Sequence, residues 1–160
     1  MHLKTNLFTL LLTVSTLSGS LSYGQSTGEK GFPLITNHSF KDYDGAADNW
    51  AILQGDRGKI YAGNGNGLLE YDGIAWRRYP LPNQSIVRSL AQGDSSKIYT
   101  GGVNELGYFQ PDAAGKLSFH SLKEKLPAEL RDFGDVWQTV VLRGKVYFNV
   151  TSHLLMYDLQ

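Results

Sequence analysis

The chain has 160 residues with 15 basic and 15 acidic side chains, so its formal net charge is zero. The sequence also has no polybasic tail and no block of like charges, so nothing in it favours a nucleic-acid-binding footprint or a patch that binds an anionic membrane. The absence of cysteine excludes disulfides, thiolate metal sites and cysteine nucleophiles. With 18 Gly, nine Tyr and three Trp, the composition predicts a turn-rich β protein of one domain with an aromatic core.

The N-terminus has the pattern of a secretory signal peptide, which we place at residues 1–24. A weakly basic start precedes an apolar run from Leu7 to Val14, and small residues, Ser22 and Gly24, stand at the two positions that a signal peptidase reads. The alternative, an uncleaved membrane anchor, needs roughly 20 apolar residues, and this run is far shorter. We expect cleavage before Gln25 and export to the periplasm.

After a leading segment at residues 25–48, a sequence unit recurs three times. Each copy contains Lys, then Ile or Val, then Tyr, with a leucine seven residues after the tyrosine and an aromatic residue ten after it. The tyrosines of the three copies are Tyr61, Tyr99 and Tyr147. Alternation within one copy is short, but its recurrence in register predicts repeated β structure.

The first copy predicts four strands joined by tight turns. The predicted strands are Trp50–Gln54, Lys59–Gly63, Leu68–Tyr71 and Ile74–Tyr79. Gly and Asn between the second and third strands supply the positive-φ positions of a hairpin turn. Four antiparallel strands in about 40 residues is the size of one β-propeller blade. The predicted fold class is therefore all-β, with blades at about 49–85, 86–120 and 134–160, the last incomplete.

Residues 121–133 form an insertion before the third blade. Leucines and Phe133 recur there at near-helical spacing, and Pro127 suits the first turn of a helix, so we predict a short helix over residues 127–132. Known propellers close with about four to eight blades, and stacked repeats bury their apolar faces only against neighbours. Three blades give an incomplete ring, and we expect the chain to be a truncated product.

Several further motifs follow one another in a fixed order along the chain. They are Gly31–Asn37, Asn49-Trp50, Gly67–Gly73, Trp76, Val87–Leu90 and Glu105–Phe109. In this order they resemble the two-component regulator propeller, the periplasmic ligand-binding sensor domain of Bacteroidetes-type hybrid histidine kinases and triple-tyrosine-motif transcriptional regulators. The resemblance covers residues 31–158.

The resemblance implies a non-enzymatic, ligand-sensing β-propeller at the front of a signal-transduction regulator. In that family the propeller, commonly two rings, precedes a triple-tyrosine β-sandwich, a membrane span and a cytoplasmic output such as a histidine kinase. The implied ligand is a small molecule or an oligosaccharide. This segment would not contact nucleic acid, the membrane would be reached only through a downstream span, and the full-length protein would be a homodimer. Two alternatives stay open: a secreted propeller lyase or glycosidase, and a plain binding scaffold.

No motif in the sequence predicts a catalytic, cofactor-binding or metal-binding residue. Gly63–Gly67 is similar to a dinucleotide loop, but residue 68 is Leu and no helix follows, so we interpret it as a hairpin turn. The acidic stretch Asp42–Asn49 lacks the further ligands of a calcium loop, and we interpret it as the loop that leads into the first blade. The histidines lack metal-ligand spacing. They are His2, His38, His120 and His153.

Two further sets of side chains are interpreted as structural. Three carboxylates fall in turns, where Asp is favoured for local hydrogen bonding, and we expect them to be solvated. They are Asp56, Asp94 and Glu105. The tryptophans are expected in blade-core or inter-blade packing, where each could bury about 200 Å², rather than in a ligand platform. They are Trp50, Trp76 and Trp137. The sequence therefore assigns no ligand-binding residue.

Overall fold

The computed structural model describes residue 31 and residues 34–159 apart from residue 95, so the signal peptide predicted at residues 1–24 lies outside the described residues. The chain divides into two units, Met1–Thr36 and Asn37–Gln160, and every described strand belongs to the second. In the described part of the chain, no helix has the length and apolar composition that crossing a bilayer requires.

Eleven strands of the described residues form three antiparallel sheets, each built from consecutive strands. The first sheet contains β1 (Asn49–Gln54), β2 (Ile60–Asn64), β3 (Gly67–Tyr71) and β4 (Trp76–Tyr79). The second contains β5 (Val87–Gln92), β6 (Ile98–Gly102), β7 (Leu106–Pro111) and β8 (Leu117–Ser121). The third contains β9 (Val136–Leu142), β10 (Lys145–Val150) and β11 (Leu154–Asp158). The predicted all-β fold class, with three blade-like sheets, is confirmed.

Short turns join the strands within the first sheet. β2 and β3 are connected through Gly65-Asn66 alone, so the turn occupies only the middle of the stretch Gly63–Gly67 and the outer glycines belong to strands. The fourth strand begins at Trp76 instead of Ile74. The strand starts later because the Oδ1 atom of Asp72 accepts hydrogen bonds from the main-chain N–H groups of Ile74 and Ala75, which hold these two residues in a turn.

The insertion at residues 121–133 contains two 3-10 turns instead of the helix predicted at 127–132. The turns are Lys123–Lys125 and Ala128–Leu130. Pro127 separates them with an extended main chain (φ −50°, ψ 145°), so no helix runs through this point. Leu122 and Phe133 are buried against the third sheet. The apolar spacing in this segment therefore reflects burial of its two ends and not a helical face.

Hydrophobic cores lie between successive sheets. The core between the first and second sheets contains Tyr61, Leu68, Leu81, Val87, Ile98, Phe109 and Leu117. The core between the second and third contains Tyr99, Leu106, Leu122, Phe133, Val136, Val146, Phe148 and Val150. Adjacent residues of β6 point to opposite faces, so Ile98 enters the first core and Tyr99 the second. The second sheet is consequently buried on both faces.

A glycine in the second strand of the first and second sheets lets the next sheet approach closely. A Cβ atom on Gly63 would lie 2.7 Å from the carbonyl oxygen of Val87, and one on Gly101 would lie 2.5 Å from the Cβ of Val136. These close approaches bring β1 beside β5 and β5 beside β9. The first strands of the three sheets, β1, β5 and β9, therefore lie side by side.

Candidate functional site

The first strand of each sheet carries a β-bulge at its second residue. The extra residues at these bulges are Trp50, Arg88 and Trp137, and none of them has a paired residue on the neighbouring strand. Bulges redirect side chains and are frequent beside functional sites. Because β1, β5 and β9 are neighbours, the three side chains meet. We refer to these three residues as the Trp–Arg–Trp row.

Arg88 lies between the two indole rings of the row. Its Cζ atom is 4.3 Å from the ring centroid of Trp50 and 4.6 Å from that of Trp137, both within cation–π range. The Arg88 side chain is 14% exposed, whereas Trp50 and Trp137 are 49% and 52% exposed. The guanidinium group is thus largely covered, while about half of each indole faces solvent.

Two carboxylates fix the orientation of the row. The Nε atom of Arg88 donates a hydrogen bond to Oδ1 of Asp135 at 2.7 Å. The indole N–H of Trp50 donates to Oδ2 of Asp48 at 2.8 Å. Asn104 exchanges hydrogen bonds of 2.7 and 2.8 Å with the main chain of the residue before Asp135. Arg88 and Trp50 are therefore held in one orientation, an arrangement that would reduce the entropy lost if a ligand bound there.

The loop at Asp42–Asn49, which carries Asp48, is tied to the first sheet. Asn64, fully buried at the end of β2, exchanges hydrogen bonds of 2.8 and 2.9 Å with the main chain of Ala46 and donates one of 3.0 Å to the carbonyl oxygen of Asp48. At the other end, main-chain and side-chain hydrogen bonds from Ser39 lower the pKa of Asp42. This loop positions a carboxylate for the row.

The two terminal nitrogens of Arg88 are open to solvent. Among the described residues neither Nη atom has a hydrogen-bond partner, and both reach solvent. The second carboxylate oxygens of Asp48 and Asp135 likewise have no protein donor within the described part of the chain. A guanidinium edge presents coplanar donors, and indole faces offer flat apolar surface. The row can therefore stack against a ligand and hydrogen-bond it.

The sequence predicts core or inter-blade packing for Trp50 and Trp137. Both rings contact Arg88 of the neighbouring sheet, so they pack between sheets, and about half of each side chain is also exposed to solvent. Trp76 lies apart from them on β4, where it stacks on Tyr71 with ring centroids 4.7 Å apart. No sequence motif gave Arg88 a role as a binding residue.

The three turn carboxylates have different surroundings. Asp56 and Asp94 are exposed, and Asp56 accepts a hydrogen bond from a serine hydroxyl at 3.0 Å. Glu105 is 7% exposed and accepts hydrogen bonds from Oγ of Ser121 at 2.6 Å and from the main-chain N–H of Leu106 at 3.1 Å. The expectation of a solvated carboxylate is therefore wrong for Glu105.

The described residues contain no group of three or more His, Asp and Glu side chains that could hold a metal ion. His38 accepts a hydrogen bond from the indole N–H of Trp76 at 3.3 Å, and His120 stacks on a tyrosine with ring centroids 5.0 Å apart. His153 contacts the neighbouring serine hydroxyl at 2.6 Å, and His2 lies outside the described residues.

A cavity of about 400 Å³ opens between the first and second sheets, at the opposite ends of the strands from the row. Beside it, the buried carboxylate of Glu70 lies 3.1 Å from Nζ of Lys59, 3.1 Å from Nη1 of Arg77 and 3.2 Å from the hydroxyl of Tyr61. Burial and the charge of Glu70 raise the pKa of Tyr61. These groups satisfy one another, whereas Oε1 of Gln92, a residue that lines the cavity, is buried without a hydrogen-bond partner among the described residues.

No protein-family model matches the chain, and no curated protein matches it. Among the similar solved structures is the extracellular domain of a protein from B. thetaiotaomicron that is provisionally assigned as a one-component system, with a TM-score of 0.48 and 20% sequence identity. The match covers 76% of this chain and 16% of that chain, so this chain spans a small part of the length of its structural neighbour.

Proposed function

We propose that the chain forms blades of an exported, non-enzymatic β-propeller that senses an oligosaccharide for a signal-transduction regulator. The observation that carries the proposal is the Trp–Arg–Trp row, in which three neighbouring strands aim two half-open indoles and an arginine at one place. The ordered motifs that resemble the two-component regulator propeller support the sensor role, and the N-terminal signal pattern supports export.

The sheet order supports the propeller part of this proposal. Consecutive up-and-down sheets whose first strands lie side by side are the arrangement of blades around a propeller axis. In such a ring β1, β5 and β9 are the inner strands, and the row lies at a rim of the central channel. The membrane and the output domains would be reached through downstream segments, and the full-length protein would act as a homodimer.

The chemistry of the row fits a sugar. Indole faces carry the negative side of the ring quadrupole and attract the weakly positive C–H groups on the apolar face of a sugar ring. Arg88 offers donors at its Nη atoms, and Asp48 and Asp135 offer acceptors, which complement the hydroxyl groups around such a ring. A few placed polar groups beside aromatic surface are typical of small-molecule sites.

The test is calorimetric titration of the chain, of its Trp137→Ala variant and of an Ile74→Ala control with a panel of neutral and acidic oligosaccharides. Ile74 is 91% exposed in the β3–β4 turn, so its truncation removes apolar surface away from the row. We expect at least one glycan to bind, Trp137→Ala to weaken that binding about tenfold, equivalent to 1.4 kcal/mol, and the control to leave it unchanged. Equal affinities of the three proteins, or no binding across the panel, would contradict the proposal. Cleavage of the bound glycan would favour a lyase or glycosidase.

A further inference from the structure

We infer that the Trp–Arg–Trp row selects neutral, hydroxyl-rich glycans over carboxylated or sulfated ones, an inference that rests on the proposed function. The row contains one cation, Arg88. Two carboxylates hydrogen-bond to the row, Asp135 to Arg88 and Asp48 to Trp50. A further carboxylate, Asp132, accepts a hydrogen bond at 2.9 Å from Asn104, the residue that holds the segment of Asp135. Of the charged groups that belong to the row or hydrogen-bond to it, two are therefore acidic and one is basic.

The charge of Arg88 is already compensated before a ligand arrives. Its ion pair with Asp135 is 2.7 Å long, and the two side chains are 14% and 28% exposed, so salt screens this pair less than a surface pair. Among the described residues, no second Lys or Arg makes a hydrogen bond, ion pair or ring contact with the row or with Asp48 and Asp135. An anionic group on the Nη edge would give up its hydration and meet the like charge of Asp135.

The pattern of donors and acceptors favours hydroxyl groups instead. A hydroxyl both donates and accepts hydrogen bonds, so vicinal hydroxyls can satisfy an Nη donor and a carboxylate acceptor at the same time. An ionised carboxylate or a sulfate only accepts, so it offers no donor to the free oxygens of Asp48 and Asp135. The space between the indoles is filled by Arg88, so the row is also no aromatic cage for a cationic ligand.

The inference is tested with matched tetrasaccharides of the gluco, galacto and manno series, each neutral sugar paired with its uronic-acid counterpart. In any series that binds, calorimetry should find the neutral member at least tenfold tighter. Asp135→Asn keeps an acceptor for the Nε atom of Arg88 but removes a charge, so it should lower the ratio of neutral to acidic affinity at least threefold. Asp48→Asn should change this ratio in the same direction. Thermal unfolding checks that both variants are folded.

The outcomes separate the two proposals. If the acidic member binds wild type more tightly, or if neither variant changes the ratio while Trp137→Ala still weakens binding, the charge selection is wrong and the binding role stands. If no tetrasaccharide in any series binds, or if Trp137→Ala leaves binding unchanged, the proposed function fails and this inference fails with it.

Discussion

Replacing Gly101 by alanine should force the second and third sheets apart and so disturb the Trp–Arg–Trp row. A Cβ atom at this position would lie 2.5 Å from the Cβ of Val136 and 2.7 Å from Oγ of Ser89. Neither neighbour is free to move. Val136 is fully buried, and the Ser89 hydroxyl lies 3.0 Å from the carbonyl oxygen of Val136 and 2.8 Å from Oγ1 of Thr139. The added methyl group therefore has to displace β9.

The size of the effect follows from these contacts. Overpacking a filled core costs about 1–3 kcal/mol, and each of the two hydroxyl hydrogen bonds is worth about 1 kcal/mol. Alanine also lowers the entropy of the unfolded chain, which offsets about 0.5–1 kcal/mol. We expect Gly101→Ala to lower the free energy of unfolding by about 2–4 kcal/mol, a large share of the roughly 5–15 kcal/mol that stabilises a typical domain.

Urea unfolding followed by tryptophan fluorescence measures this change. The control is Gly31→Ala, because a Cβ atom on Gly31 would have no heavy atom within 4 Å. A loss of less than about 0.5 kcal/mol for Gly101→Ala, the size of an ordinary surface substitution, would refute the close-approach explanation. So would an equal loss in the control.

Three further predictions concern stability. Glu70→Ala should lower the free energy of unfolding by about 2–3 kcal/mol, because Lys59 and the Tyr61 hydroxyl lose their buried acceptor while Arg77 keeps its ion pair with Asp72; an unchanged urea midpoint would contradict this. Main-chain N–H groups of Ala75 and Ile74 hold the pKa of Asp72 at about 2, below its usual 3.8. Because the pKa of Asp72 is lower in the folded protein than in the unfolded chain, its ionised carboxylate stabilises the fold above about pH 4, and this stabilisation is lost as the pH falls to about 2. Asp72→Asn should therefore make the urea midpoint fall less steeply between about pH 4 and pH 2, and a slope equal to that of wild type would count against this. Ser89→Ala should cost about 1–2 kcal/mol in urea unfolding because two partners across the sheet boundary lose a hydrogen bond, and a neutral result would show that these partners find water instead.

The three sheets could be predicted from the sequence because short-range signals repeat at a fixed spacing. Tyr61 and Tyr99 enter successive cores, and Gly63 and Gly101 follow each of them two residues later, where the next sheet packs. A strand with apolar side chains on alternate residues, followed by a Gly-rich turn, buries its apolar face by pairing in a hairpin whose sheet packs on a neighbouring sheet. The pattern therefore defines each sheet as well as the contact between sheets.

The row could not be predicted in the same way. Arg88 follows Trp50 by 38 residues, the spacing that also separates Tyr61 and Tyr99, so the two positions were alignable. The direction in which the side chains of Trp50 and Arg88 point could not be predicted, because a bulge adds one residue to a strand and changes the face on which the next side chains lie. The burial of Glu105 could not be predicted from local sequence either, because one of its hydrogen-bond partners, Ser121, is 16 residues away in the chain.

The three tryptophans allow the most direct test of the proposal that the row contacts the ligand. Each indole N–H gives one signal in a nitrogen–proton correlation spectrum, and the chain contains only Trp50, Trp76 and Trp137. Titration with a glycan that binds in calorimetry should shift the signals of Trp50 and Trp137 and leave that of Trp76 in place, because Trp76 lies on β4 in a separate aromatic cluster. Binding that shifts Trp76 alone, or none of the three signals, would contradict the proposal.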